Sequence, residues 1–341
     1  MTELEVVRTR GGIIESRHRV ACAVIHAARG LVARAGESSQ STWWRSAAKP
    51  FQAMALIEDG AADRFLLDSE QLALACASHS SEPAHLRVTD RILAAIGADE
   101  ADLACGPHPP LSAVVQRALV RSGQVPTPRW SNCSGKHAAM LALARHHGWP
   151  LEGYTGINHP VQRRLLQSVA EWTGMRPEDV ALGVDGCTTV CYGLPLEAMA
   201  GAWARFGTSP EPAPRRLREA MLAHPYLIAG TGRPCTVMME AWPGQIIAKI
   251  GAEGVYGAAL PTLGLGVAIK VSDGDLKASA LAMVAVARQL FREFGMAAPT
   301  DLAERLDGWI EPPILNTRGE ATGHHGVIGG LVFLAGGAAN G

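Results

Sequence analysis

A chain of 341 residues, 48% of them hydrophobic and 18% charged, is long enough to bury a large core as one large domain or two closely joined ones. A formal net charge of −1 leaves no global field to draw it onto nucleic acid or an anionic membrane, so neither is expected as a partner and small polar molecules are. The opening MTELEVVRTRGG has no apolar run behind a basic start, and the stretch Gly326 to Gly337 is too short and glycine-rich to span a bilayer, so a cytoplasmic protein is expected.

From Leu4 to about Arg45, as in VACAVIHAARGLVARAGE, apolar and polar residues alternate between glycines, which predicts antiparallel strands joined by turns. Between Ala47 and about Ala223 the period becomes helical. AAKPFQAMALIEDG, EQLALACASH, PAHLRVTDRILAAIG, LSAVVQRALVRSG, SGKHAAMLALARHHG and VQRRLLQSVAEWTG carry apolar residues at three-to-four spacing, most of them running into a glycine stop. From Gln245 strand-like runs return, QIIAKIGAEGVYGAAL and LGVAIKVSDGD, followed by a helix over 275 to 293 and a glycine-rich tail. The order of β, helical cluster, β and α predicts an α/β (α+β) fold: an antiparallel sheet built from both ends, flanked by helices, with a helical insert.

Basic charge is written almost wholly as arginine, with 26 arginines and lysines only at 49, 136, 249, 270 and 277. Arginine stays protonated, whereas a buried lysine can become a neutral amine, so these few lysines are enriched candidates for chemistry. Seven cysteines (22, 76, 105, 133, 187, 191 and 235), odd in number and scattered, argue for reduced thiols.

Ser46-Ala-Ala-Lys49 lies where the first strand layer meets the first helix, with Ser46 expected near the N-cap and Lys49 one turn on. A serine needs a nearby base to attack, and a neutral lysine supplies one without any histidine. The blander reading is a capping serine beside a solvated lysine. Ser78-His79-Ser80-Ser81-Glu82-Pro83-Ala84-His85 concentrates polar residues between two helices, and reads equally as a site or as a capping loop begun by Ser81 or Glu82. Asn132-Cys133-Ser134-Gly135-Lys136-His137 opens another helix. It is not a phosphate loop, because the first glycine is missing and His137 stands where the magnesium-holding hydroxyl belongs. Val184-Asp185-Gly186-Cys187 follows the apolar run ALGV and suggests a strand end turning at glycine, with Cys187 a thiolate donor and Asp185 a carboxylate that orients one. On spacing alone Cys133 and Cys187 form no zinc signature and read as two buried thiols.

Taken in order, RSAAKPFQ (45 to 52), CASHSSEPAH (76 to 85), NCSGKHAAML (132 to 141), VDGCTTVCYGLPL (184 to 196) and AKIGAEGVY (248 to 256) resemble the rhizobial-type thermolabile L-asparaginases, also called asparaginase II or class 3. The resemblance runs from about residue 5 to about residue 320. It implies a serine β-lactamase/glutaminase-like fold in one domain over 1–341, with 1–45 and 243–341 as the sheet layer and 46–242 as a helical middle. It also implies a homodimer that hydrolyses the side-chain amide of L-asparagine to L-aspartate and ammonia. The catalytic pairs carried over are Ser46 with Lys49 and Ser78 with Lys249, and a zinc ion would be held by Cys133, Lys136 and Cys187. Arg45, His137, Glu82 and Asp185 are the expected substrate contacts. Ser81 departs from the family pattern, where a glycine is expected, and brings into question a turn that needs positive φ. The competing readings are another serine-lysine hydrolase, a glutaminase or β-lactamase-like enzyme, and a non-catalytic zinc module.

Overall fold

The computed structural model describes residues 3–296, 301–306 and 308–335. Its strands are β1 (Leu4–Arg10), β2 (Ile13–His26), β3 (Gly30–Ala35), β4 (Ser41–Trp43), β5 (Ala181–Val184), β6 (Val190–Pro195), β7 (Ile247–Ile250), β8 (Val255–Leu260), β9 (Leu265–Val271), β10 (Pro313–Leu315), β11 (Ala321–Gly329) and β12 (Val332–Phe333). The chain divides into two compact units: 1–47, 194–208 and 237–341 form the first, and 48–193 with 209–236 the second.

The first unit holds a sheet in the order β10-β11-β1-β2-β9-β8-β7, each adjacent pair antiparallel, with β3 beside β2 and β12 beside β3. Strands from both ends of the chain thus share one sheet, as the order of hydrophobic periods predicts. β2 is long enough to take β1 along its first half and β3 along its second while β9 covers its other edge. The register Leu4↔Val20↔Val271 puts the odd residues of β9 on the same face as Leu4, against the helix Leu276–Glu293. Even residues face the other way, and there Gly266 lies under the helix Leu196–Thr208, where an added Cβ would stand 2.1 Å from both Ala200 O and Ala204 N. The glycine-rich tail is not a featureless end: β11 pairs with β1 from Leu4↔Gly329 to Arg8↔His325 and extends the sheet. Residues 336–341 of that tail lie outside the described residues.

In the second unit the helices fall where the apolar spacing places them: Lys49–Glu58, Ser69–Ala75, Pro83–Ala95, Ala113–Arg121, Ser134–His147 and Pro160–Thr173. The last two end on Gly148 and Gly174, each at φ +70°, the left-handed closure that glycine adopts without cost. β5 and β6 form a hairpin from Ala181↔Gly193 to Val184↔Val190. Its turn bends at Gly186 and Cys187 as expected, closed by Thr188 N–H donating to Asp185 O at 2.9 Å, and the positive φ of 77° falls on Thr188. No helix of the described residues is long and apolar enough to cross a membrane.

Candidate active site

Of the sequence-nominated residues, Arg45, Ser46 and Lys249 belong to the sheet unit. Ser46 is not at the helix N-cap: it sits in a 3-10 turn, Arg45–Ala48, and Ala48 caps the helix that begins at Lys49. The turn is tight, with Arg45 at φ +51°, a conformation few side chains accept. It lies against the end of β7: a Cβ on Gly251 would come within 3.0 Å of Trp44 O and 3.4 Å of Ala47 N. Two residues earlier on that strand, Lys249 stands opposite Gly257, fully buried, with Nζ donating to Ile250 O at 2.8 Å.

The helical unit holds the rest. Lys49 is buried and its Nζ donates to Ala77 O at 2.5 Å, Ser78 Oγ at 2.9 Å and Cys133 Sγ at 3.2 Å. Those three contacts use all three protons of an ammonium. Ser78 is fixed from the backbone, its N–H donating to Ile228 O at 2.9 Å and that of His79 to Asn132 O at 3.1 Å.

Two buried histidines shape the loop after Ser78. Ser81 N–H donates to His79 Nδ1 at 3.2 Å, so the ring proton lies on Nε2, which donates to Ser134 Oγ at 2.9 Å. Glu82 N–H donates to His85 Nδ1 at 3.1 Å, and Nε2 of that ring donates to Tyr226 O at 3.2 Å. Burial lowers the pKa of both rings, joined at His79 by neighbouring positive charge and opposed at His85 by the Tyr226 carbonyl and Glu82, so both stay acceptors of backbone N–H bonds. Glu82 does cap the next helix. Its carboxylate accepts from Tyr226 Oη at 2.6 Å, Thr231 Oγ1 at 2.8 Å and Thr231 N at 3.2 Å. It thereby ties the loop to the 226–231 segment. Ser81 takes φ +59°, so the turn does need the left-handed conformation, and its Oγ donates to Trp130 O at 2.6 Å.

Cys133, Lys136 and Cys187 come together as buried side chains although nothing in their spacing announces it. Lys136 Nζ donates to Cys187 Sγ at 3.0 Å and Thr189 Oγ1 at 2.8 Å. Hydrogen bonding with Cys133 is the largest influence on Cys187 and holds its thiol well below the usual range against burial, with Lys136 adding attraction. The same contact pushes Cys133 up, and burial adds to it. Burial opposes the charge on Lys136, but Cys187, Cys133 and Asp185 outweigh it and keep the ammonium. Half-buried Asp185 accepts from Gly186 N at 2.7 Å. His137 Nδ1 lies 2.6 Å from Tyr154 Oη, which itself accepts from Ala104 N at 2.9 Å, so the phenol donates to the imidazole. Nε2 of His137 is then the protonated nitrogen, buried beside the Cys187 thiol, whose pKa it helps to lower.

Among the described residues no three His, Cys, Asp or Glu side chains are arranged to hold a metal. The set nominated for zinc has a lysine in third place. Two sulfurs and a nitrogen suit a borderline-soft ion, and one ion could replace the proton that Lys136 now holds beside the Cys187 thiolate, so the donor chemistry fits.

Sequence reasoning missed the contact of Lys49 with Ser78 and the roles of Thr189, Tyr154, His79 and His85. The histidines sat in a nominated motif, but Tyr154 had no signal of its own.

Residues 6–327 match the model of the family described as L-asparaginase II. The chain therefore belongs to that family and is an amidohydrolase. Curated proteins yield no match. Similar solved structures include a β-lactamase from Mycobacterium bovis, 16% identical with TM-score 0.46, covering 80% of this chain and 94% of that one. A β-lactamase-like protein from Bacteroides dorei is 12% identical with TM-score 0.38, covering 79% and 84% respectively. A mutant simvastatin synthase from Aspergillus terreus is 13% identical with TM-score 0.35, covering 74% and 86%.

Proposed function

We propose that this amidohydrolase is an L-asparaginase, releasing ammonia from the side-chain amide of L-asparagine with Ser46 as nucleophile. The observation that carries the reading is Lys49, a buried amine 2.9 Å from a serine oxygen and three residues along the chain from a second serine, Ser46. In its neutral form Lys49 takes the Ser46 proton as Oγ attacks the amide carbon. The same amine returns a proton to the departing nitrogen, leaving a β-aspartyl ester on Ser46. Water hydrolyses that ester, with Ser78 and Lys249 accepting and relaying its proton.

Arg45 suits the substrate carboxylate and Asp185 its ammonium group, while the buried Nε2–H of His137 is a donor for either a substrate oxygen or a water. Glu82 acts by holding the Ser78 loop, since its oxygens already accept three bonds. Zinc, when bound by Cys133, Lys136 and Cys187, would supply fixed positive charge that favours an anionic substrate group. The protein is further proposed to work as a homodimer in the cytoplasm, with no nucleic acid or membrane partner.

The test is ammonia release from L-asparagine, L-glutamine and a chromogenic β-lactam in parallel. Preference for asparagine is expected; turnover confined to the β-lactam would overturn the substrate assignment.

A further inference from the structure

The sheet unit holds a cavity of about 270 Å³ that shares no residue with the nominated site. Leu4 and Val327 of the sheet, Leu281, Arg288 and Arg292 of the helix Leu276–Glu293, and Trp309 line it. Arg288 and Arg292 are four residues apart on the helix Leu276–Glu293, so both guanidinium groups project from one face of successive turns. Both are exposed, and among the described residues neither has an ion-pair or hydrogen-bond partner.

His325 also lines the cavity, its ring pushed down to about 4 by burial first and then by the positive charges of Lys277 and Arg8, so it is neutral near pH of about 7, and Glu311 contributes a carboxylate to the lining. Arg8 stands directly opposite His325 in the sheet and Ser16 directly opposite Arg8, forming one row across β11, β1 and β2. Arg8 Nε and Ser16 Oγ are both buried without a hydrogen-bond partner among the described residues. Both atoms belong to the strands beside the cavity and lie outside its lining.

We propose that this cavity binds a small organic anion, its acid group gripped by Arg288 and Arg292 and its flat apolar body set against Trp309. Paired guanidinium groups recognise planar carboxylates and phosphates in bidentate fashion. The apolar part of the lining and the indole require a body that aspartate and inorganic phosphate lack. The volume lies just below the range of about 300–1,000 Å³ typical of drug-sized ligands, which limits the body to about one ring. Carboxylates and phosphate monoesters share this chemistry, and the assay separates them.

The test titrates the full chain with phenylacetate and phenyl phosphate by calorimetry and saturation-transfer NMR, with acetate, inorganic phosphate and benzyl alcohol as the separated halves. At least one aryl anion is expected to bind saturably, and the halves about ten-fold more weakly or not at all, since one lost charge-assisted contact is worth about that factor. An R288Q/R292Q variant, altered at two exposed positions, is expected to keep the wild-type melting temperature and basal ammonia release while losing about ten-fold in affinity. W309A should weaken both aryl anions and leave acetate and inorganic phosphate unchanged. Absence of saturable binding by either aryl anion at millimolar concentration would overturn the proposal. So would equal binding by R288Q/R292Q, or halves that bind as tightly as the whole molecules.

Discussion

Ser81, at φ +59°, sits in a conformation that costs a residue with a Cβ about 1–2 kcal/mol. Arg45, Thr188 and Glu253 share that condition, and all four fall inside the nominated motifs, where backbone strain tends to concentrate. Ser81→Gly removes the strain but also the bond to Trp130 O, so it is expected to leave stability nearly unchanged. Ser81→Ala loses the bond and keeps the strain, and urea denaturation should place it about 1 kcal/mol below the glycine variant. Lys49→Arg keeps the charge but removes the amine that can deprotonate, and is expected to lower kcat at least about 100-fold. At this scale the sequence was informative wherever residue type carries the chemistry: a lysine amid arginines, or a serine where a turn wants glycine. It was silent on Tyr154 and on the strain at Arg45, which arise from what surrounds them.

The helix Leu196–Thr208 lies so close to β9 that only a glycine fits beneath it at position 266. Gly266→Ala forces the helix away from the sheet and is expected to cost about 1–3 kcal/mol or more, seen as a lower urea midpoint at unchanged slope. His325 supplies a pH dependence to the edge formed by β1 and β11. Its folded pKa of about 4 lies below the ordinary 6.5, through burial and the nearby Lys277, Arg8 and His18, with Asp275 opposing. Between those values the unfolded chain binds a proton that the folded chain refuses, so stability falls as pH drops from about 6.5 towards 4. Wild type should therefore lose more melting temperature between neutral pH and pH of about 5 than His325→Gln does. Helices were legible because their apolar spacing and terminal glycines speak locally. β11 was not, since the glycines of ATGHHGVIGG blur the alternation that marks a strand. Whether the helix Leu196–Thr208 covers the sheet or joins the helical cluster is equally hidden, because either surface would accept its apolar face.

The whole molecule gathers motifs far apart in sequence, and Cys133 with Cys187 shows the limit of reading them singly: spacing gives two buried thiols, while the fold sets both beside Lys136. Metal analysis of the purified protein is expected to find zinc lost from Cys133→Ser and Cys187→Ser. With a large apolar core in each unit, a chelator should weaken asparagine binding and leave the fold intact by circular dichroism. Loss of the fold on chelation would make the site structural. A serine nucleophile at position 46 served by Lys49 is put to the test by ammonia release from L-asparagine with wild type and Ser46→Ala at matched melting temperature. Wild type is expected to release ammonia steadily and the variant none above background. Release by a folded Ser46→Ala protein at the wild-type rate would contradict it.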